Sequence, residues 1–209
     1  MLTLQIPTKP YEDEKIYSKK EHAFNEGMTI LVGQNGAGKS TLLRFLNEKC
    51  HKEKLPFFYY DNYAEGGSTA LSKYGFYGDT TALATGWCSS EGQQIYMNFS
   101  YMMQSLGNFV RKHKGTKQIV LAFDAIDSGL DLANIAEIKD FLLSVIDDIR
   151  KNGTEVYVLI SANSYGFVKG SRCYDVARNK EIIFNSYEEY EKFIFGRVKE
   201  RNGKSKTDN

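Results

Sequence analysis

The order of apolar and polar positions predicts a chain that begins with strands. Residues 1–6 alternate apolar with polar, as a half-buried strand does, with Leu2, Leu4 and Ile6 on one face. A continuous apolar run at residues 28–32 predicts a buried strand that leads into a glycine-rich turn. We therefore expect two or three strands within the first 32 residues.

Helical periodicity follows in three later segments. Residues 42–46 give a short amphipathic helix, which should end before Pro56 because the residue preceding a proline disfavours helical geometry. Two longer segments have apolar residues every three or four positions, which predicts one buried face on each long helix. These residues are Ile95, Phe99, Met102, Leu106 and Phe109 in the first segment, and Ile135, Ile138, Leu142, Val145 and Ile149 in the second.

Strands predicted at residues 57–60, 118–123 and 155–160 alternate with these helices. Strand, helix and strand in that order imply parallel crossovers, and therefore an α/β fold with a mostly parallel sheet flanked by helices. Near the end, residues 174–176 and 182–184 predict a hairpin, a small antiparallel portion. Ser186 and Glu189 form a capping box that opens a last helix. We expect one domain over residues 1–196 and a polar, flexible tail over 197–209.

Composition and charge narrow the class of protein only slightly. The 209 residues are 42% apolar and 25% charged, which is ordinary for a globular protein, and a net charge of +1 leaves room only for a local basic patch. Cys50, Cys88 and Cys173 lack metal or disulfide spacing, so we interpret them as buried thiols in a reducing cytoplasm. No signal-peptide pattern opens the chain and no run approaches the roughly 20 apolar residues of a membrane span, so no membrane partner is expected.

Residues 33–40, GQNGAGKS, match the phosphate-loop pattern G-x-x-x-x-G-K-[ST]. Glycines let the backbone N–H groups turn towards phosphate oxygens, Lys39 adds a positive charge, and the Ser40 hydroxyl would hold Mg²⁺. The alternative is a chance match in a glycine-rich turn, but the strand before and the helix after supply the required context. The residues expected to contact ATP are Asn35, Gly36, Ala37, Gly38, Lys39, Ser40 and Thr41.

A carboxylate for the metal is predicted at the end of a neighbouring strand. The apolar run at residues 119–123 ends in Asp124, which we assign to the Mg²⁺ site and to catalysis together with Lys39. The alternative is a strand-terminal aspartate that only caps a turn.

With these motifs the chain resembles the ATP-binding-cassette (ABC) ATPases over about residues 25–165, nearer the soluble recombination and SMC-like branch than the transporters, as a small single-head ATPase of phage or bacterial type. SSEGQQ at residues 89–94 is similar to the family signature, and SGLD at 128–131 is similar to its D-loop. The resemblance implies a head-to-tail homodimer in which Ser90, Gly92 and Gln93 of one copy meet the ATP bound by the other. The alternative for residues 89–94 is a simple helix N-cap.

The chain departs from this family at two positions. Ala125 stands where a catalytic glutamate usually follows the metal aspartate, and it cannot accept a proton. Asn163 stands where a switch histidine is expected; it can hydrogen-bond a γ-phosphate but does not titrate near neutrality. Three explanations compete for Ala125: a natural binding-only protein, an engineered glutamate-to-alanine substitution, or rescue by Asp127 as base. The alternative for Asp127 is a turn carboxylate bonded to the D-loop backbone.

Chain length between motifs restricts the architecture further. Only 51 positions separate Lys39 from Ser90, which leaves no room for a coiled-coil arm or a full helical lobe, so a bare head with a reduced lobe is expected. Among the aromatic residues before the phosphate loop, Tyr11 or Tyr17 is the candidate to lie against adenine; the alternative is packing on the sheet.

These observations predict an ATP- and Mg²⁺-binding, dimerising switch with slow or impaired hydrolysis, in DNA repair, recombination or phage–host conflict. The alternative is a non-catalytic ATP sensor that recruits or inhibits a partner protein. The expected partners are a second copy of the chain and, further, DNA or another protein.

Overall fold

Strands and helices alternate along most of the chain. A computed structural model describes residues 1–6, 17–62 and 91–204. The elements are β1 (Leu2–Gln5), β2 (Glu21–Phe24), β3 (Gly27–Val32), α1 (Lys39–Lys52), β4 (Phe57–Asp61), α2 (Glu91–Lys112), β5 (Gln118–Asp124), α3 (Leu132–Lys151), β6 (Glu155–Ser161), α4 (Tyr165–Val168), β7 (Cys173–Asp175), β8 (Lys180–Ile182) and α5 (Tyr187–Lys204).

The central sheet has six strands in the order β4-β5-β6-β3-β7-β8. All neighbours pair in parallel except the β7–β8 hairpin, and β1 with β2 forms a separate antiparallel sheet. This confirms the predicted α/β fold of P-loop type, with a mostly parallel sheet and a small antiparallel portion. Because β3, β5 and β6 are parallel neighbours, their carboxyl ends and the loops that follow them lie along one edge.

Apolar side chains cover both faces of this sheet. On one face, α1 and the β1–β2 sheet bury Leu42, Leu43 and Leu46 completely. On the other, α2 and α3 pack with the region of α4 and α5, around Leu106 and Ile138. Burial on both sides explains why β5 and β6 are continuous apolar runs rather than alternating ones.

Several sequence predictions need correction at their boundaries. The hairpin strands are Cys173–Asp175 and Lys180–Ile182, one and two residues before the predicted positions, because Asn179 adopts the left-handed turn conformation (φ 53°) ahead of β8. The last helix extends to Lys204, so the backbone of residues 197–204 is helical, and the flexibility expected of the polar tail at 197–209 stays a prediction.

The capping prediction is confirmed with one change of partner. The Ser186 hydroxyl accepts from the Glu189 N–H, but the Glu189 carboxylate accepts from the N–H of Asn185 rather than that of Ser186. Both bonds satisfy N–H groups at the start of α5.

The cysteine prediction is confirmed for Cys50 and Cys173, which are buried free thiols, and Cys88 lies outside the described residues. Burial raises the pKa of both thiols to about 12, so they stay neutral. Residues 63–88 of the glycine-rich segment also lie outside the described residues. Within the described ranges, no helix is both long enough and apolar enough to cross a membrane.

Candidate nucleotide site

Polar loops meet at the carboxyl edge of the central sheet. The phosphate loop follows β3, the segment from Ala125 to Asp131 follows β5, and a short segment from Ala162 to Ser164 follows β6. Strand pairing places Asp124 beside Ser161 on one side and beside Asp61 on the other. Sequence patterns assign no role to Asp61, because the position of β4 next to β5 is needed to place it here.

The phosphate loop has a backbone that only glycine can form comfortably. Gly33 has φ +147°, and a Cβ there would lie 2.9 Å from the Cβ of Ala37, well inside normal contact. Gly38, in the left-handed region at φ 91°, is the N-cap of α1, and no side chain caps this helix start. The first turn of α1 also carries no acidic residue. An uncapped helix start with no negative charge beside it suits an anionic group.

Lys39 is buried inside this loop. Only 7% of the residue is exposed, and Nζ donates to the carbonyl oxygens of Gly33 at 2.6 Å and Gln34 at 3.3 Å. Burial lowers the pKa of Lys39, while the negative charges of Asp127 and Asp124 act in the opposite direction. The side chain is therefore anchored within the loop, beside the two carboxylates of the site.

The other predicted loop residues lie at the mouth of the site. Asn35, Gly36 and Ser40 are exposed, and Thr41 is half-buried with its hydroxyl accepting from Arg44 at 3.3 Å. Exposure leaves the Ser40 hydroxyl open to a ligand at the start of α1.

Asp124 has an unsatisfied carboxylate oxygen. The residue is 4% exposed, and Oδ1 is buried without a hydrogen-bond partner among the described residues. Oδ2 accepts only a long contact of 3.4 Å from the Tyr59 hydroxyl, whose pKa is raised first by burial and then by the charges of Asp124 and Asp61. Buried carboxylate oxygens normally have a donor or a cation, so this arrangement fits a metal ion or its water.

A metal held here would need ligands beyond the protein carboxylates. The described residues contain no group of three or more His, Cys, Asp or Glu side chains that could hold an ion. Mg²⁺ in nucleotide sites is usually bound by one or two protein oxygens together with phosphates and waters. Asp124 and the Ser40 hydroxyl are a donor set of that kind.

Ala125 begins the turn after β5 in a left-handed conformation. Its φ is 52°, and its carbonyl accepts from the Ser128 N–H at 3.0 Å. A residue with a Cβ is disfavoured here relative to glycine. The alanine methyl offers no proton acceptor, so no base is present at this position.

Asp127 ties two loops of the site together. Its Oδ2 accepts from the backbone N–H groups of Asn163 at 2.7 Å and Ser164 at 2.5 Å. The carbonyl of Asn163 accepts from the Tyr190 hydroxyl at 2.7 Å, which connects the same segment to α5. The sequence alternative for Asp127 is a bond to the D-loop backbone; the partners found here follow β6 instead. The Asn163 side chain itself is exposed.

The motifs assigned to dimerisation are only partly described. Gly92 and Gln93 lie in the first turn of α2, where the backbone is helical, and Ser90 lies outside the described residues. In the D-loop, Asp131 is the N-cap of α3 and accepts from the Asn134 N–H at 2.8 Å. The contact of this signature segment with a second copy stays a prediction.

Of the two tyrosines considered for contact with adenine, Tyr17 is described and lies beside the phosphate loop. Its hydroxyl donates to the Gly38 carbonyl at 2.7 Å, and its ring meets His22 edge-on at 5.0 Å between centroids. Tyr11 lies outside the described residues. Contact of Tyr17 with a base stays a prediction.

A cleft of about 500 Å³ opens beside the phosphate loop, and α5 forms its far wall. Gln34 Nε2 donates to the Ile194 carbonyl of that helix at 2.7 Å. The sequence patterns did not predict this wall, because no short-range pattern connects the last helix with a loop 160 positions earlier in the chain. The cleft is lined by Gly33, Gln34, Asn35 and Asn163 from the loops and by Tyr187, Tyr190, Glu191, Ile194 and Phe195 from α5.

Comparison with known families supports the same site. A protein-family model described as an AAA domain matches residues 9–49, which include β3, the phosphate loop and most of α1. No curated protein matches the chain. The match covers about a fifth of the chain, and together with the loop motif and loop geometry it supports a P-loop domain of nucleotide-binding, ATPase-like type.

Proposed function

We propose that the chain binds ATP with Mg²⁺ at the carboxyl edge and acts as an ATP-dependent dimerising switch with slow or impaired hydrolysis. The observation that supports this best is the presence, in one site, of a buried lysine and a buried carboxylate with an unsatisfied oxygen. Lys39 is held inside a glycine loop, and Asp124 on the strand β5 keeps one oxygen without a partner among the described residues. Neither feature stabilises the fold by itself, because burial of a charged or unpaired polar group is unfavourable.

Each residue of the site has a proposed role. Lys39 and the N–H groups at the start of α1 would bind the phosphates, and Ser40 with Asp124 would hold Mg²⁺. The ion would neutralise phosphate charge when bound. Asn163, exposed beside the phosphate loop, would hydrogen-bond the terminal phosphate, since its amide carries donors.

Slow hydrolysis follows from the groups available to activate water. Ala125 has no acceptor, and one oxygen of Asp127 already accepts two backbone N–H bonds. These two bonds occupy that oxygen and hold Asp127 against the segment that follows β6. Asp127 therefore acts mainly by positioning Asn163, and bound ATP persists. The same observation favours the second candidate, a non-catalytic ATP sensor that recruits or inhibits a partner protein.

The switch would be completed by a second copy. The ABC-like motifs at residues 89–94 and 128–131 support a head-to-tail homodimer with ATP between the copies. The same resemblance to recombination and SMC-like proteins supports a role in DNA repair, recombination or phage–host conflict in the cytoplasm.

Calorimetry with a matched pair of lysine variants tests nucleotide binding. Lys39→Ala should weaken MgATP binding by more than about 100-fold, since it removes charge-assisted bonds to phosphate. Lys49→Ala is the control, because Lys49 lies on the same helix and pairs at the surface with Glu53. Equal affinity of both variants, each with a normal thermal transition, would reject the phosphate-loop assignment.

Light scattering with and without MgATP tests dimerisation. We expect ATP to convert monomer to dimer, and Ser90→Arg to prevent this without weakening ATP binding. Ser105→Arg, on the exposed side of the same helix, should dimerise normally. A chain that binds ATP and remains monomeric would reject the dimerising switch.

A further inference from the structure

A second and larger groove lies at the opposite edge of the sheet, where β4 and β5 begin. It has a volume of about 1000 Å³ and runs between the carboxyl ends of α1 and α2, which cover opposite faces of the sheet. The full length of β5 separates it from Asp124. At about 3.3 Å per residue, that distance is roughly 20 Å. The groove is therefore no part of the nucleotide site.

The charge on the groove is strongly one-sided. Lys54, Lys117, His51 and His113 line it, and the segment 111–117 adds Arg111, Lys112 and Lys114 without an acidic residue. The nearby acids are already engaged: Glu53 pairs with Lys49, and Glu155, beside Gln118 in the sheet, accepts from the Tyr157 hydroxyl. The near-neutral total charge of the chain thus conceals a local basic surface.

Basic residues in the last turn of a helix often only offset its dipole, and Arg111 and Lys112 lie in such positions. That explanation does not cover Lys54, Lys114 and Lys117, which follow the helices. In the described part of the chain, these three side chains form no hydrogen bond or ion pair. Two of these lysines, Lys54 and Lys117, line the groove itself, and unpaired cations in that position point to an anionic ligand.

The floor of the groove is apolar and aromatic. Leu55, Pro56, Phe57 and Phe109 line it, and the Phe109 and His113 rings lie 4.6 Å apart between centroids. Phe57, Phe109 and His113 are each only partly buried. Flat partly exposed rings within a basic rim are suited to stacking of unpaired bases, with phosphates at the lysines.

We propose that this groove binds single-stranded nucleic acid. Unpaired bases would stack on the Phe57, Phe109 and His113 surface, and Lys54 and Lys117 would contact backbone phosphates. A duplex hides its base faces and gains only the phosphate contacts, so it should bind more weakly. An acidic protein segment would match the charge but would leave the aromatic floor without a specific partner.

Fluorescence anisotropy with a labelled 15-nucleotide oligothymidine tests the proposal. Lys54→Glu/Lys117→Glu should raise Kd at least about tenfold and reduce the salt dependence, by about 0.7 in logarithmic slope for each phosphate that the variant no longer neutralises. Lys180→Glu/Lys192→Glu is the control, since it makes the same change in net charge at exposed sites elsewhere. Equal weakening in both double variants, or no binding by the wild type, would overturn the proposal.

Stacking is tested separately with His113→Ala, which removes a ring and no lysine. We expect Kd to rise about fivefold to tenfold with an unchanged salt slope. Equal or tighter binding of a duplex of the same length, or binding of poly-glutamate in place of oligothymidine, would overturn the assignment to single strands. MgATP affinity, measured on the same variants, should not change, so failure here is distinct from failure of the nucleotide site.

Discussion

The charged side chains at the two edges of the central sheet differ in their exposure to solvent. At the carboxyl edge the charged groups are buried: Lys39, at the start of α1, is 7% exposed, and Asp124, at the end of β5, is 4% exposed. At the amino edge the charges stand on the surface, and Lys54 and Lys117 are exposed without partners among the described residues. A buried, preorganised site can bind one kind of ligand in one geometry, whereas an exposed basic surface binds many sequences through charge.

The same difference predicts different responses to salt, pH and substitution at the two edges. Interactions among exposed charges are screened by salt, and buried groups are screened much less. We therefore expect large, specific effects from single substitutions at the carboxyl edge and smaller, additive effects at the groove.

The largest effect should come from restoring a carboxylate at the carboxyl edge. Ala125→Glu would supply a base beside Asp124, the proposed Mg²⁺ ligand, and assistance of this kind accelerates a reaction by about 10²–10⁴-fold. Steady-state phosphate release should rise accordingly. A gain below about tenfold would contradict the role assigned to position 125.

Asp127→Asn is the matched test in the same segment. If Asp127 is already the base, the unmodified chain should turn over, and this variant should abolish turnover at unchanged ATP affinity. If Asp127 positions Asn163, the variant should weaken ATP binding and have little turnover to lose.

Removing the carboxylate charge of Asp124 should reduce the contribution of Mg²⁺ to ATP binding. Asp124→Asn keeps the shape of the side chain, so the fold should persist. We expect the gain in ATP affinity on adding Mg²⁺ to fall by more than about tenfold. Asp131→Asn is the control, because asparagine also caps a helix well. Titrations in Mg²⁺ and in EDTA measure the gain, and equal gains in both variants would move the metal elsewhere.

Acid should destabilise the folded chain through His22, a buried residue of β2. This residue is fully buried, Nδ1 lies 2.8 Å from the Tyr174 hydroxyl, and burial lowers its pKa to about 4. Above pH 6.5 the ring is neutral in both states. Between pH 6.5 and 4, His22 of the unfolded chain binds a proton that His22 of the folded chain does not bind. The unfolding free energy therefore decreases as the pH decreases, by about 2–3 kcal/mol.

Urea unfolding at several pH values checks this expectation. The His22→Gln variant should lose less stability than the wild type between pH 7 and 4.5. Parallel curves for His22→Gln and the wild type would show that burial of this ring carries no such cost.

The smallest effect concerns backbone strain, which both edges share. Ala125 and Lys54 adopt left-handed φ values of 52° and 55°. Glycine at either position should raise the unfolding free energy by about 0.5–1 kcal/mol. Asn179, at φ 53°, should gain less from the same change, because asparagine tolerates this region. Thermal unfolding of the three variants gives the ranking, and a gain at Asn179 alone would contradict it.

Local sequence patterns predicted one edge much better than the other. The phosphate loop, the strand before it and Asp124 at the end of β5 follow from short-range patterns, since glycine turns and apolar runs specify local backbone. The capping pair Ser186 and Glu189 was predictable for the same reason.

Contacts that depend on strand order could not be predicted. Asp61 and Tyr59 lie by Asp124 only because β4 pairs with β5, and Gln34 meets Ile194 only because α5 lies beside the phosphate loop. Crossover rules restrict handedness but do not give the order of strands. The basic groove was hidden for a related reason: its lysines come from two segments about 60 residues apart, and the net charge averages them with distant acids.

Strand β3, which carries the phosphate loop, finds its hydrogen-bonding neighbours late in the chain. It pairs with β6 from Tyr157 onward and with β7 as far as Asp175. During synthesis at about 5–20 residues per second, the roughly 140 residues between Val32 and Asp175 take about 7–30 seconds. An apolar strand and a glycine loop therefore leave the ribosome with both edges open. The central sheet cannot close around β3 until β7 has been synthesised, and until then β3 lacks its hydrogen-bonding neighbours on both sides.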